Sequence, residues 1–270
     1  MTKETTILAD AKRTGVQGPI AARVTAAVAP LLAEPRAAAT QTSQYLSGAR
    51  LAVQEVRDDW LRVRGADQYE GWMHRGYIVD TEAASGRDER ISLGCVTRSA
   101  EGRTRELPLG ALLDGDEEVV AGETVRSAEL SIHFPTEGAA IAGSALRFFE
   151  GASYLWGGVT PWGADCSGFV QTVFALHGLP LPRDAADQAR MGVEVPARAD
   201  SLLAGDLVFF SDREDGRITH VAIAIGDARV VHLALGRGGY AVESLWSDGD
   251  AYVTGLRSRV RGARRLVGAV

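Results

Sequence analysis

The stretch Asp165-Cys166-Ser167-Gly168-Phe169-Val170-Gln171-Thr172-Val173-Phe174-Ala175-Leu176 reads as a short helix with a cysteine in its first turn. Phe169, Val170, Val173, Phe174 and Leu176 recur near a 3.6-residue period, and Gly178 followed by Pro180 ends the run. At a helix start the unpaired backbone N–H groups and the positive end of the dipole stabilise a thiolate. They can draw the thiol below its free pKa of about 8.5, and the same N–H groups could hold an oxyanion. A lone cysteine is more often inert core, so the reading depends on what lies downstream.

Downstream is a hairpin pattern with two histidines, His220-Val-Ala-Ile-Ala-Ile-Gly-Asp-Ala-Arg-Val-Val-His232. A thiol nucleophile needs an imidazole that can hold its proton near neutral pH and a third polar group that fixes the imidazole tautomer. Alternate residues of a strand face opposite sides. A plain two-residue loop centred on Asp227 and Ala228 would put His232 opposite Ile223 and turn the two rings to opposite faces. An odd-length loop or a bulge would pair His232 with Ala222 or Ala224 and bring both rings to one face. The sequence predicts this odd register, and with it a cysteine hydrolase. A zinc site built from Cys166, His220 and His232 is disfavoured, because the cysteine opens a helix and no second cysteine is near. No metal and no cofactor is expected.

With 270 residues, 46% of them hydrophobic and 24% charged, the chain can bury substantial cores in two or three domains. A net charge of −6 and a pI near 5.5 argue against a nucleic-acid footprint or a general attraction to anionic membranes and wall polymers. No apolar run is long enough to span a bilayer. The start, Met1-Thr-Lys-Glu-Thr-Thr-Ile-Leu-Ala-Asp10, lacks the apolar core of an export signal, so the expectation for a complete chain is a cytoplasmic protein. The two cysteines, Cys95 and Cys166, fall in different domains, which fits a reducing compartment. Cys95 is read as core.

The amino-terminal half carries short alternating strands at 49–56, 59–64 and 70–79, separated by turn residues. Asp59-Trp-Leu-Arg-Val63 followed by Tyr69-Glu-Gly-Trp-Met73 is similar to bacterial SH3-like barrels, with Val24 to Pro35 as the opening strand. A weaker copy is expected at 85–135, around Ile91-Ser-Leu-Gly-Cys-Val96 and Glu117-Glu-Val-Val120. Trp60 and Trp72 are expected to pack the small barrel. Residues 138–150 read as the first helix of a further domain. Trp156 and Trp162 flank the Gly157-Gly158 turn and suit either a groove wall or core. The five arginines from Arg257 to Arg265 are expected on a solvated edge strand or helix end.

Tyr154-Leu-Trp-Gly-Gly158, Asp165-Cys-Ser-Gly-Phe169, Pro182-Arg-Asp184, Ala204-Gly-Asp-Leu-Val-Phe-Phe210 and His220-Val-Ala-Ile223 occur in one order. Together they resemble the NlpC-type cell-wall peptidases, which have a papain-like fold, over about residues 137–240. Ala204 departs from the proline that often precedes Gly-Asp there, a change confined to a turn. The resemblance implies an α+β fold, a papain-like catalytic domain at 137–270 preceded by two small SH3-like β-barrels at 1–82 and 83–136. It also implies Cys166 as nucleophile, His220 as general base and acid, and His232 as the group that orients His220. Tyr154 matches a tyrosine near the oxyanion, and Asp165, Ser167 and Asp184 match positions that line the substrate groove.

Tandem SH3-like modules without an export signal are similar to one branch, the dipeptidyl-peptidase VI type or γ-D-glutamyl-L-diamino acid endopeptidases. Its members cut murein peptides with a free amino-terminal L-alanine. That likeness makes Tyr69 the candidate groove tyrosine of the first module. The turn Tyr45-Leu-Ser-Gly-Ala49 carries alanine where an amine-reading acid is expected, and Asp184 is the alternative counter-charge. The implied partner is a murein peptide, with a role in recycling wall peptides. The rival readings are a papain-like amidase or acyltransferase, and a non-catalytic binder of wall fragments.

Overall fold

Residues 20–81 form an antiparallel sheet because their apolar residues alternate with polar ones and Gly or Asp marks the turns. In the computed structural model of the chain, residues 20–81 and 89–268 are described. The chain divides into two units, Met1–Ala128 and Glu129–Val270. The expected boundary between the two SH3-like modules, at 82 and 83, lies outside the described residues.

In the first unit the strands are β1 (Ile20–Val24), β2 (Val28–Leu32), β3 (Gln41–Leu46), β4 (Arg50–Arg57), β5 (Trp60–Arg64), β6 (Glu70–His74) and β7 (Ile78–Asp80). They pair in the order β3-β2-β6-β5-β4-β1-β7. The single opening strand expected at 24–35 is instead the end of β1 and then β2. Ala22, Val24, Leu31, Leu51, Val53, Leu61, Val63 and Met73 close the core, and Tyr69 packs half-buried against it. Trp72 is buried under the Arg57 guanidinium, while Trp60 is half-buried and meets the His74 ring edge-on.

The same unit holds β8 (Arg90–Arg98), β9 (Thr104–Leu107) and β10 (Glu118–Arg126), a three-stranded sheet in the order β10-β8-β9. Its core is Cys95, Leu107, Ala111 and Leu113, so Cys95 is packed as expected. Arg105 joins this sheet to the first through Nη1 on the Thr25 carbonyl at 2.7 Å, while its Nε holds Glu117 beside β10 at 2.6 Å.

The second unit begins with α1 (Leu130–His133) and α2 (Gly138–Phe149), followed by the hairpin β11 (Val159–Thr160) and β12 (Gly163–Ala164). Next come α3 (Cys166–Leu176) and α4 (Ala185–Gln188). The strands β13 (Val193–Val195), β14 (Leu207–Phe210), β15 (His220–Gly226), β16 (Arg229–Ala234) and β17 (Gly239–Ser244) then precede α5 (Ala251–Ser258) and β18 (Val260–Arg265). The sheet runs β13-β18-β14-β15-β16-β17 with every pair antiparallel.

Strands β14 to β16 are buried almost throughout because both faces of the sheet are covered. Val208, Phe210, Ala222, Ala224 and Val230 pack with Leu256 of α5, and α2 and α3 cover β15. Phe149 and Phe169 lock the two helices together edge-to-face at 4.9 Å between centroids, an arrangement that adds about 0.5–1.5 kcal/mol to simple burial. The arginine-rich tail begins as the expected helix end, with Arg257 in the last turn of α5 and Arg259 its exposed C-cap, but β18 is not an edge strand, because it lies inside the sheet between β13 and β14. Its charges are accommodated by pairing, Arg265 with buried Asp206 at 2.7 Å and Arg264 with Glu194 at 3.8 Å. No helix among the described residues is long and apolar enough to cross a membrane.

Candidate active site

The cysteine helix starts where the sequence puts it. Asp165 is the N-cap, in an extended conformation, and its Oδ1 accepts the Gly168 N–H at 2.8 Å. Its Oδ2 accepts the Gly157 N–H at 2.8 Å, which ties the Gly157-Gly158 turn to the helix start. The approach is close enough to require glycine at 168, where a Cβ would sit 2.1 Å from the Gly158 carbonyl oxygen.

Beneath the helix start lies a residue to which the sequence reading gave no role. Arg183, the largest fully buried side chain, clamps both oxygens of Asp165, with Nη1 3.0 Å from Oδ1 and Nη2 2.6 Å from Oδ2. Nη1 also donates to Ser167 Oγ at 2.9 Å. Gln188 then donates to the backbone carbonyls of Ser167 and Pro182. Asp165 and Ser167, expected along the substrate groove, are thus 6% exposed each and face this buried network. Asp184 is exposed at the start of α4. Tyr69 belongs to the other unit, where the Tyr45 hydroxyl lies 3.0 Å from its carbonyl. The sequence signal for Arg183 was present in Pro182-Arg-Asp184, but an arginine alone reads as surface until its partner 18 residues away is known.

The histidine hairpin has the odd register. Asp227 and Ala228 form the turn with φ of 51° and 57°, and the pairing slips by one residue between Ala224–Val230 and Gly226–Arg229. Continued along the strands, the register sets His232 opposite Ala222, on the face that His220 shares. The two rings meet through His220 Nε2 and His232 Nδ1 at 2.8 Å. His232 is fully buried and His220 is half-buried at the start of β15. The Val221 backbone N–H, next in chain to His220, reaches the Cys166 thiol, as does the Ser167 N–H. Cys166 therefore neighbours the strand start that carries His220.

The electrostatics differ from the expectation of a lowered thiol pKa. Burial, with the nearby Asp165 carboxylate second, pushes the Cys166 thiol up to about 12, and the contribution of Arg183 and the backbone N–H groups is smaller. Desolvation, then the neighbouring His232, holds the His220 imidazole down to about 3. Thiol and imidazole are both neutral at pH 7. Tyr154, half-buried beside the thiol, has its hydroxyl pushed up by burial and by Cys166 and Asp165, so it stays protonated and able to donate. Trp156 and Trp162 are 62% and 49% exposed, which removes the core reading for both.

This arrangement, a thiol at a helix start beside a histidine pair on adjoining strands, coincides with a match to the NlpC/P60 family model over residues 151–252. Residues 151–252 form an NlpC/P60 domain. Residues 31–76 match the bacterial dipeptidyl-peptidase SH3 domain, so the NlpC/P60 domain follows an SH3 domain in this chain. Over 86 residues the chain is 46% identical to the γ-D-glutamyl-L-lysine dipeptidyl-peptidase of Bacillus subtilis (strain 168), covering 32% of this chain and 28% of that protein. Over 87 residues it is 42% identical to the protein of the same name from Bacillus cereus (strain ATCC 10987 / NRS 248), covering 32% and 26%. The matched segment thus spans little more than a quarter of these relatives. A crystal structure of an NlpC/P60 family protein from Bacillus cereus ATCC 10987 has the same fold, with a TM-score of 0.73 at 22% identity, over 92% of this chain and 99% of that one.

Proposed function

We propose that this protein is a cysteine endopeptidase that hydrolyses the γ-D-glutamyl–diamino acid bond of murein peptides with a free amino-terminal L-alanine. The observation that carries the reading is the Nε2–Nδ1 contact of 2.8 Å between His220 and His232 beside the thiol of Cys166. The names of the Bacillus relatives supply the substrate class.

Because thiol and imidazole are both neutral, attack is coupled to proton transfer. Cys166 Sγ bonds to the γ-carbonyl carbon of D-glutamate as its proton passes to His220 Nδ1, the ring nitrogen not engaged by His232. The backbone N–H of Cys166 and the Tyr154 hydroxyl stabilise the oxyanion. His220 then gives its proton to the departing amine, leaving a thioester. Water, deprotonated by His220, attacks the thioester and frees the thiol. In this reading Asp165 and Ser167 shape the groove through Arg183, and Asp184 contacts the substrate. An acid paired with the substrate ammonium gives selectivity, because a peptide without that amine leaves the acid desolvated and unpaired.

The 90–126 sheet serves as a second SH3-like module, and the work is the recycling of wall peptides in the cytoplasm. Two free, buried cysteines agree with a reducing compartment.

The test is incubation of purified protein with L-Ala-γ-D-Glu-diaminopimelate and with its N-acetylated form, using Cys166→Ala as control and mass spectrometry of the products. Release of the diamino acid from the free peptide alone, and not by the variant, is the expected result. Equal cleavage of both peptides would refute the amine requirement, and no cleavage of either would refute the substrate assignment.

A further inference from the structure

The line from Cys166 through His220 to His232 continues one residue further. β17 runs beside β16 with His232 opposite Ala241 and Val230 opposite Glu243, so Glu243 is a diagonal neighbour of His232 on the same face. His232 is 0% exposed, and its Nε2 has no hydrogen-bond partner among the described residues. Glu243 Oε1 stands 3.8 Å from that nitrogen. The gap exceeds a hydrogen bond, yet a carboxylate acts strongly across it where water is excluded.

The carboxylate is itself held in place. Arg237 Nε lies 2.7 Å from Glu243 Oε1, and Nη2 lies 3.3 Å from Oε2 and 2.6 Å from Asp250 Oδ2. The Arg237 guanidinium stacks on the Tyr252 ring at 4.2 Å, and Asp250 caps α5 by accepting the Tyr252 N–H at 2.7 Å.

The tautomers follow from the 2.8 Å contact. If His220 is to take a proton on Nδ1, its own proton is on Nε2 and is donated to His232 Nδ1. His232 Nδ1 must then be bare, and the His232 proton sits on Nε2, the atom that faces Glu243. The opposite tautomer pair would leave His220 protonated on Nδ1 and unable to accept the thiol proton.

We propose that Glu243 is a positioning residue whose carboxylate fixes the Nε2–H tautomer of His232 and so keeps His220 Nδ1 bare to receive the Cys166 proton. This rests on the reading of Cys166 as nucleophile and His220 as base. The titratable and charged groups around His232 are His220 from β15, Glu243 from β17, Arg237 from the turn at 235–237 and Tyr252 from α5, with Asp250 behind Arg237. Glu243 alone among them sets a negative charge against Nε2.

The test is the pH dependence of Cys166 alkylation by iodoacetamide in the full chain, read by peptide mass mapping so that Cys95 is counted separately, together with peptide hydrolysis. In Glu243→Gln the negative charge facing His232 is lost, and Arg237 keeps only Asp250 as its carboxylate partner. Alkylation of Cys166 at pH 7 should slow about tenfold, its midpoint should move to higher pH, and kcat should fall by a similar factor with KM within about twofold. Arg237→Gln leaves the carboxylate uncompensated and should move the midpoint to lower pH.

Loosening of the fold would move both variants the same way. A Glu243→Gln profile that superimposes on the parent, or equal shifts in the two variants, overturns the proposal. Should Glu243→Gln fail to fold, Arg237→Gln decides alone: a downward shift supports the proposal, and no shift or an upward one overturns it. Alkylation needs no peptide, so an inactive parent would sink the substrate reading and leave this test intact.

Discussion

Replacing Arg183 by methionine removes the charge that sits beneath the Cys166 helix start. The Arg183 side chain is 1% exposed and that of Asp165 is 8% exposed, so the variant strands a buried carboxylate. Breaking a buried pair by deleting one partner costs about 3–5 kcal/mol, a large share of the roughly 5–15 kcal/mol that stabilises a domain. With a urea slope of about 1–3 kcal/mol per molar, the unfolding midpoint should drop by about 1–5 M. The chain carries its own reporters, since Cys95 is buried in one unit and Cys166 in the other. An alkylating pulse too brief to label Cys166 in the folded chain, given at each urea concentration and followed by mass spectrometry, reads the two units separately. The Cys166 midpoint should fall while that of Cys95 stays, and adding Asp165→Asn, which keeps an N-cap but removes the stranded charge, should recover part of the loss. A Cys166 midpoint that moves by less than about 0.3 M, or a Cys95 midpoint that moves with it, would refute the reasoning.

Ala228 holds a φ of 57° in the two-residue hairpin turn, so Ala228→Gly should raise stability by about 0.5–1 kcal/mol, and a fall in the thermal midpoint would contradict the strain. Tyr154→Phe removes a protonated hydroxyl beside the thiol and should lower kcat by roughly tenfold or more with little change in KM; an unchanged kcat would remove Tyr154 from the oxyanion site. His220 is held down to about 3 in the folded chain against about 6.5 unfolded. The unfolded chain therefore binds the extra proton between those values, and this histidine's contribution to stability is full above about pH 6.5 and lost as pH falls toward 3. His220→Gln should flatten the acid limb of the stability curve between pH 6 and 4, and parallel curves for parent and variant would contradict the shift.

The features legible in the sequence were those fixed by local rules. The period of Phe169 to Leu176 and the Gly178 stop gave the cysteine helix, whereas the capping role of Asp165 came only from the structure. The requirement that two histidines share a face selected the bulged register, which a Gly226-Asp227-Ala228 turn can supply. What escaped depends on partners distant in the chain. Arg183 gains its meaning only from Asp165, and Glu243 only from the β16–β17 pairing that sets it diagonal to His232. A reader who had carried the alternation through the Gly238-Gly239 turn could have found Glu243. The helix end expected at Arg257 and Arg259 is present, but the edge-strand reading fails for β18, because Arg265 is paired with buried Asp206 and the strand is interior.

The thiol illustrates how two correct effects compete. The helix start does favour a thiolate, and the backbone N–H groups of Ser167 and Val221 do pull the pKa down, but burial at 7% exposure and the capping Asp165 carboxylate outweigh them. The residue that caps the helix and anchors the Gly157 turn therefore also opposes the charge on its neighbour. Arg183 resolves part of that conflict by holding both Asp165 oxygens, which lets the chain keep the cap without exposing the thiol to an unscreened anion. In the proposed reaction, charge separation between Cys166 and His220 would then be left to the moment of attack, with the imidazolium stabilised through His232 and the oxyanion held by the helix N–H groups.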